Sequence, residues 1–140
     1  MCLFCDIADH KKKAHIVDET KHTITFLDIN PANEGHVLII PKMHVDTILD
    51  LPDEYVLEII GVSRKIIRAY EAVYNAKGYG VMQNGGENCE FGHFHFHVFP
   101  RLNNDGFDWI YPNGEKEVSD QVAQKLRAQI NRMSGDDLDN

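Results

Sequence analysis

The chain has 140 residues, of which 43% are apolar and 26% are charged, a composition typical of one globular domain rather than of a disordered segment. Its formal net charge of −8, from 22 acidic and 14 basic residues, argues against a nucleic acid or an anionic membrane as partner, because both attract clustered lysine and arginine. A small phosphorylated ligand is compatible with this charge, since it needs only a local cradle of hydrogen-bond donors.

The N-terminal stretch MCLFCDIADHKKK and the cysteine content indicate the cellular compartment. The apolar patch is short and the basic charges follow it, the reverse of the order in an export signal, and no apolar run reaches the length of a membrane span. Three cysteines do not make a disulfide framework. We therefore expect a protein of the reducing cytoplasm.

The first half of the chain predicts strands followed by a long helix. The stretch HIVDETKHTITFLDINP alternates apolar and polar residues and closes with turn residues. Gly35 then opens a short apolar strand, HVLIIP, so the two strands are expected to pair as an antiparallel hairpin. Pro52 marks the start of a helix, with Asp50 as its cap, and apolar residues recur at helical spacing to about Tyr74.

The second half adds strands and a last helix. YGVMQ predicts a third core strand, and the loop NGGENCEFG leads into the strand GHFHFHVFPR. Ser119 is expected to cap an amphipathic helix. These elements predict one α+β domain with an antiparallel sheet over residues 1–133, followed by a frayed tail at 134–140. The inner face of the last helix is expected to contain Val122, Leu126, Ile130 and Met133.

Three histidines at alternate positions are the most informative feature of the sequence. On an extended strand His93, His95 and His97 project to one face, since alternate side chains share a side. A solvated strand face is one explanation, although such a face usually mixes residue types. Imidazoles could also bind zinc or iron. Alternatively, a neutral imidazole could attack phosphorus while its neighbours donate protons.

The segment from His93 to Phe99 resembles the signature of the histidine-triad (HIT) superfamily, in which three histidines alternate with apolar residues. The motifs FLDINP and GHVLIIPKMH lie upstream in the order and spacing of that family, so the resemblance covers about residues 2–101. It implies a five-stranded antiparallel sheet with one long helix and a C-terminal helix. It also implies a homodimer joined through the long helix and an edge strand.

The resemblance implies a nucleotide hydrolase or transferase that acts on the α-phosphate through a nucleotidyl-histidine intermediate. Phosphoramidates, adenylates and dinucleoside polyphosphates are the substrate classes. The middle histidine, His95, would be the nucleophile, and His97 would donate to phosphate oxygens. Asp28 would accept hydrogen bonds from the ribose hydroxyls. The base would occupy an apolar slot lined by Phe4, Ile7, Phe26 and Ile29.

The loop before the triad departs from the family pattern. Many members carry Asn-x-Gly-x-x-Ala-Gly-Gln-x-Val there, whereas this chain has the shorter QNGGENCEFG. Gln83 or Asn84 could supply the amide that faces the phosphates, and Cys89 and Glu90 stand where the family faces the leaving group. A carboxylate at Glu90 would repel a polyphosphate and favour an amine leaving group, which predicts a preference for phosphoramidates or aminoacyl-type adenylates.

The N-terminal CxxC, from Cys2 to Cys5, has no preceding strand, so a thioredoxin-like dithiol is disfavoured. Core cysteines without a chemical role are one explanation. Resemblance to zinc-containing family members implies instead one structural zinc ion per chain, held by Cys2, Cys5, His44 and His93. Two other functions stay open: a metal-dependent hydrolase with the strand histidines as ligands, and a nucleotide-binding protein with little turnover.

Overall fold

The computed structural model describes residues 1–114, 116 and 118–133. The chain forms two compact units, and the boundary between them follows Phe107. The predicted frayed tail, 134–140, lies outside the described residues, and the single domain over 1–133 stays a prediction. The second unit contains α3 (Asp120–Met133), and the first contains α1 (Leu3–Ala8), β1 (Ile16–Glu19), β2 (Thr23–Leu27), β3 (Val37–Pro41), α2 (Asp53–Tyr74), β4 (Gly78–Met82) and β5 (Phe96–Arg101).

The strands form one antiparallel sheet in the order β1-β2-β3-β5-β4, which confirms the predicted α+β class and the antiparallel pairing of β2 with β3. The stretch predicted as a single first strand is two strands, and that prediction was wrong. The chain reverses at residues 20–22, where the Thr20 and Thr23 hydroxyl oxygens lie 2.7 Å apart and the Thr20 N–H donates to the Thr23 carbonyl.

Each face of the sheet covers a separate apolar cluster. On β3, Val37 and Ile39 belong to the cluster that includes buried residues of α2, whereas Leu38 and Ile40 belong to the cluster that includes α1. This alternation follows from the two-residue period of a strand. His97 on β5 pairs with Leu38 in the sheet, so the register of β3 and β5 positions the end of the histidine run.

Two predicted helix details change in the structure. Asp50 does not cap α2: its carboxylate accepts from Thr47 Oγ1 within a 3₁₀ turn, and the N-cap position is occupied by Pro52 without a side-chain hydrogen bond. Ser119 does cap α3, since its Oγ accepts from the Val122 N–H at 3.4 Å.

The predicted inner face of α3 is not buried. Its four apolar side chains are 45–61% exposed. No helix in the described part of the chain combines the length and apolar character needed to cross a membrane.

Candidate functional site

A cavity of about 1070 Å³ brings most of the predicted nucleotide-site residues together. One wall comes from α1 and β2, and the histidines around the start of β5 lie at another. A ligand in this space could therefore touch the predicted base slot and the predicted nucleophile at once. The predicted residues that line it are Phe4, Ile7, Phe26, Asp28, Ile29, Glu90, His95 and His97.

Three predicted site residues in the loop before the histidines, the loop that differs from the family pattern, do not line this cavity: Gln83, Asn84 and Cys89. The Gln83 side-chain amide donates to the Asn84 carbonyl at 2.7 Å, so it is engaged within its own loop. The Cys89 thiol donates to the His93 carbonyl at 3.5 Å. Their proposed phosphate and leaving-group roles stay predictions.

His95 is held in the form that a nucleophile needs. Its Nδ1 lies 2.8 Å from the His93 carbonyl oxygen, which can only accept, so the ring proton is on Nδ1 and Nε2 carries the lone pair. The rings of Phe4 and Phe91 pack edge-on against the imidazole, with centroids 5.4 and 5.8 Å away. Backbone geometry thus selects the tautomer, and aromatic packing fixes the ring.

A fourth histidine, His36, joins the site. The Ala32 N–H donates to His36 Nδ1 at 2.9 Å, which places the His36 proton on Nε2. That Nε2 donates in turn to His97 Nδ1 at 2.9 Å, so the His97 proton lies on Nε2. His36 was not predicted from the sequence, although it is the first histidine of GHVLIIPKMH and immediately follows Gly35.

Asp28 lies beside this histidine pair. Its Oδ2 is 3.5 Å from His36 Nε2 and 3.6 Å from His97 Nδ1. Its Oδ1 accepts from the Asn30 N–H at 2.8 Å, which fixes the carboxylate at the turn after β2. The carboxylate that is predicted to bind the ribose therefore also interacts electrostatically with both histidines.

Burial keeps the histidine pair neutral. Burial, and then the neighbouring His95 and His36, lower the pKa of His97 to about 4, while Asp28 opposes the shift. Burial also lowers the pKa of His36, again with Asp28 acting in the opposite direction. Near pH 7 each ring therefore carries a single proton, as the hydrogen bond between them requires.

The lowered pKa values predict an acid-sensitive fold. Both lie below the value of about 6.5 for an unfolded histidine, so the unfolded chain binds more protons as the pH falls. The contribution of these two histidines to the free energy of unfolding is complete above about pH 6.5. It is lost as the pH drops through the pKa of the folded state, which is near 4 for His97. Urea titrations between pH 7 and 4.5 should show a shallower pH dependence of the unfolding free energy for His97→Asn than for the parent.

His15→Asn is the matched control for that measurement, because the His15 side chain is exposed and forms no ion pair with a described residue. It should keep the pH dependence of the parent. Identical pH slopes for the parent and His97→Asn would contradict the assignment.

A second cluster near α1 has the geometry of a tetrahedral metal site. Cys2 Sγ lies 3.3 Å from His93 Nδ1, and Cys5 Sγ lies 3.3 Å from His44 Nδ1 and 3.5 Å from His93 Nδ1. A sulfur and a nitrogen bound to one tetrahedral zinc ion are about 3.6 Å apart, given the usual bond lengths. The three sulfur–nitrogen distances are close to this value, and all four ligand atoms lie within 4.8 Å of one another, so the residues fit a zinc ion.

The outer nitrogens of His93 and His44 have acceptors. His93 Nε2 donates to the Pro41 carbonyl at 2.9 Å, and His44 Nε2 lies 3.1 Å from an Asp46 carboxylate oxygen. Each of these contacts at Nε2 holds the ring so that the Nδ1 lone pair points toward the sulfurs. Proteins orient metal-binding imidazoles in this way. Burial, and then the neighbouring Cys2, raise the pKa of the Cys5 thiol to about 11, a cost that a bound cation would offset by stabilising the thiolates.

The strand histidines separate into different groups. His93 belongs to the cysteine cluster, His97 lies with Asp28 and His36, and His95 belongs to neither group of potential metal ligands in the described part of the chain. A single metal held by all three strand histidines is therefore disfavoured. The hydrogen bond between His36 and His97 accounts for the closeness of the second group.

Comparisons with known proteins agree with this geometry. The model of the HIT domain family matches residues 9–104. The adenosine 5′-monophosphoramidase of Candida albicans is 30% identical over 146 residues, covering 98% of this chain and 96% of that protein. The crystal structure of a HIT family protein from Bacillus anthracis has a TM-score of 0.81 at 34% identity, covering 94% and 96% of the two chains. A Zn-bound histidine triad family protein from Mycobacterium smegmatis has a TM-score of 0.72 at 29% identity, covering 96% of each.

Proposed function

We propose that this chain, which belongs to the HIT domain family, is a nucleotide hydrolase or transferase in which His95 attacks the α-phosphate. The observation that carries the proposal is the bond from His95 Nδ1 to the His93 carbonyl, which leaves Nε2 as an unprotonated nucleophile in the cavity. The Candida albicans relative is named an adenosine 5′-monophosphoramidase, which supports nucleoside phosphoramidates as the substrate class.

The reaction proceeds in two displacements at phosphorus. His95 Nε2 forms a bond to the α-phosphorus while the bond to the leaving group breaks, and the leaving group departs with a proton from solvent, which the attacking water returns in the second displacement. Water or another acceptor then attacks the nucleotidyl-histidine, releases the nucleotide and restores the imidazole. The His97 Nε2–H donates to a phosphate oxygen as negative charge develops, and His36 keeps that proton on Nε2.

The remaining predicted residues bind the nucleoside. Asp28 accepts from the ribose hydroxyls through charge-assisted hydrogen bonds. The base lies between α1 and β2, where Phe4, Ile7 and Phe26 are buried in the wall, and Ile29, 88% exposed, has surface left to bury against a ligand.

The proposal includes one structural zinc ion per chain, held by Cys2, Cys5, His44 and His93. Four protein ligands leave no open position, so the metal would tie α1 to the segment before β5 and take no part in the reaction. The Zn-bound relative and the ligand spacing support this assignment.

A homodimer is also part of the proposal. It would join copies through α2 and the edge strand β4, both of which expose apolar side chains. Such faces are more often interfaces than bare surface. These exposed residues include Leu57, Val73, Tyr79 and Val81. The cytoplasmic location stays a prediction.

Substrate choice tests the proposed function. Glu90 lines the cavity with His95, so its carboxylate should disfavour a polyphosphate leaving group by like-charge repulsion. We expect kcat/KM for adenosine 5′-phosphoramidate to exceed that for diadenosine tetraphosphate, and Glu90→Gln to narrow the ratio by about threefold to tenfold. Steady-state kinetics on both substrates provides the measurement.

Glu87→Gln is the matched control, since Glu87 lies in the same loop but does not line the cavity. Turnover of neither substrate would contradict an enzymatic function and favour a nucleotide-binding protein. A better polyphosphate substrate, with a ratio unchanged in Glu90→Gln, would contradict only the leaving-group assignment.

A further inference from the structure

Two lysines line the nucleotide cavity without any role in the proposed reaction. Lys12 and Lys13 are the only lysine or arginine residues among those that line it, and neither forms an ion pair with a described residue. Their neighbour Lys11 differs in both respects: its Nζ donates to Asp9 at 3.1 Å, and it does not line the cavity.

The sheet places these lysines far from the nucleophile. The segment that follows them runs directly into β1, and the Leu27 N–H donates to the His15 carbonyl at 3.0 Å, so this segment lies beside the end of β2. The order β1-β2-β3-β5 puts three strand spacings between β1 and the strand that carries His97. Neighbouring strands are about 4.8 Å apart, so the separation is about 14 Å.

The intervening residues determine which part of a nucleotide reaches the lysines. With the α-phosphate at His95 and the ribose at Asp28, the base extends away from β5, between the apolar side chains of α1 and β2. Its outer edge then faces the segment before β1. The methylene chains of both lysines can continue the apolar slot while the ammonium groups reach that edge.

We propose that Lys12 and Lys13 select the base, favouring purines with a carbonyl oxygen at position 6, guanine and hypoxanthine, over adenine. An ammonium group offers three donors and no acceptor. Guanine presents acceptors at both O6 and N7, whereas adenine presents an acceptor at N7 and a donor at its 6-amino group. This inference rests on the proposed function, because it takes the position of the base from the reacting phosphate.

The test uses Lys12→Met, Lys13→Met and the double variant, which keep an apolar chain and remove the charge. The affinities of GMP, IMP and AMP are measured by calorimetry, and kcat/KM is measured for the three nucleoside phosphoramidates. We expect the parent to favour guanosine and inosine over adenosine by about fivefold, a modest ratio because both lysines are exposed. The double variant should bring this ratio close to one, and Lys11→Met should leave it unchanged.

Comparison across the bases separates the outcomes. The inference is overturned if the parent binds the three nucleotides equally or prefers adenosine. It is also overturned if the parent prefers guanosine but not inosine, because the 2-amino group of guanine would then be the group recognised. A uniform loss for all three nucleotides in the double variant would also overturn it, since general attraction of phosphate explains such a loss. Failure of every nucleotide to bind or turn over would instead contradict the proposed function.

Discussion

Replacing His95 with asparagine is expected to lower kcat by about a thousandfold or more. The nucleotidyl intermediate cannot form without the imidazole Nε2, and no other strand histidine can take its place. His93 Nδ1 faces the two cysteine sulfurs, and His97 accepts a hydrogen bond from His36 through Nδ1. Steady-state kinetics with adenosine 5′-phosphoramidate measures this loss.

The asparagine variant should keep its fold and its affinity for AMP, because its side-chain amide can donate to the His93 carbonyl as His95 Nδ1 does. In the parent, acid-quenched reactions should contain a protein species heavier by one nucleotidyl group, and peptide mapping should locate the group on His95. His10→Asn, which alters an exposed histidine, should behave like the parent. Turnover by His95→Asn within about tenfold of the parent would remove His95 from the nucleophile position.

The candidate site shows what a sequence pattern can and cannot specify. Spacing alone predicted that His95 and His97 would be neighbours, and their ring centroids are 5.0 Å apart. The protonated nitrogen of each ring could not be predicted, since it depends on a backbone carbonyl for His95 and on His36 for His97. The contact with His36 depends on the pairing of β3 with β5, and residues 61 positions apart carry no local signal of it.

The errors in the predicted fold have similar causes. Apolar and polar residues alternate on both sides of residues 20–22, so the pattern did not reveal that the chain reverses there. The apolar face of α3 was predicted from a helical period, which indicates that a face is apolar but not what covers it. The loop from Gln83 to Glu90 has no helical or strand periodicity, so the sequence could not indicate which of its side chains line the cavity. Within this loop only Glu90 lines it.

We expect one tightly bound zinc ion per chain and a large loss of thermal stability when it is removed. Removing it should lower the melting temperature by about 10 °C or more, because structural zinc contributes a binding free energy comparable to the whole stability of a small domain. Zinc would join α1 to the region before β5, and without it two thiols and two imidazoles would face one another at 3.3–3.5 Å with no cation between them. Elemental analysis of protein purified without chelator, and thermal melts before and after chelation, measure the two quantities.

The three cysteines provide a matched comparison for this prediction. Cys5→Ser removes a ligand and should lose both the zinc and the stability that depends on it, whereas Cys89→Ser alters a cysteine outside the cluster and should keep both. Catalysis should respond less than stability does, because the contact that selects the His95 tautomer is made by the backbone carbonyl of His93, which stays in place as long as the fold persists. A structural site made of Cys2, Cys5, His44 and His93 would be contradicted if the parent protein contained no metal. It would also be contradicted if both variants lost zinc equally, or if zinc were bound through His95.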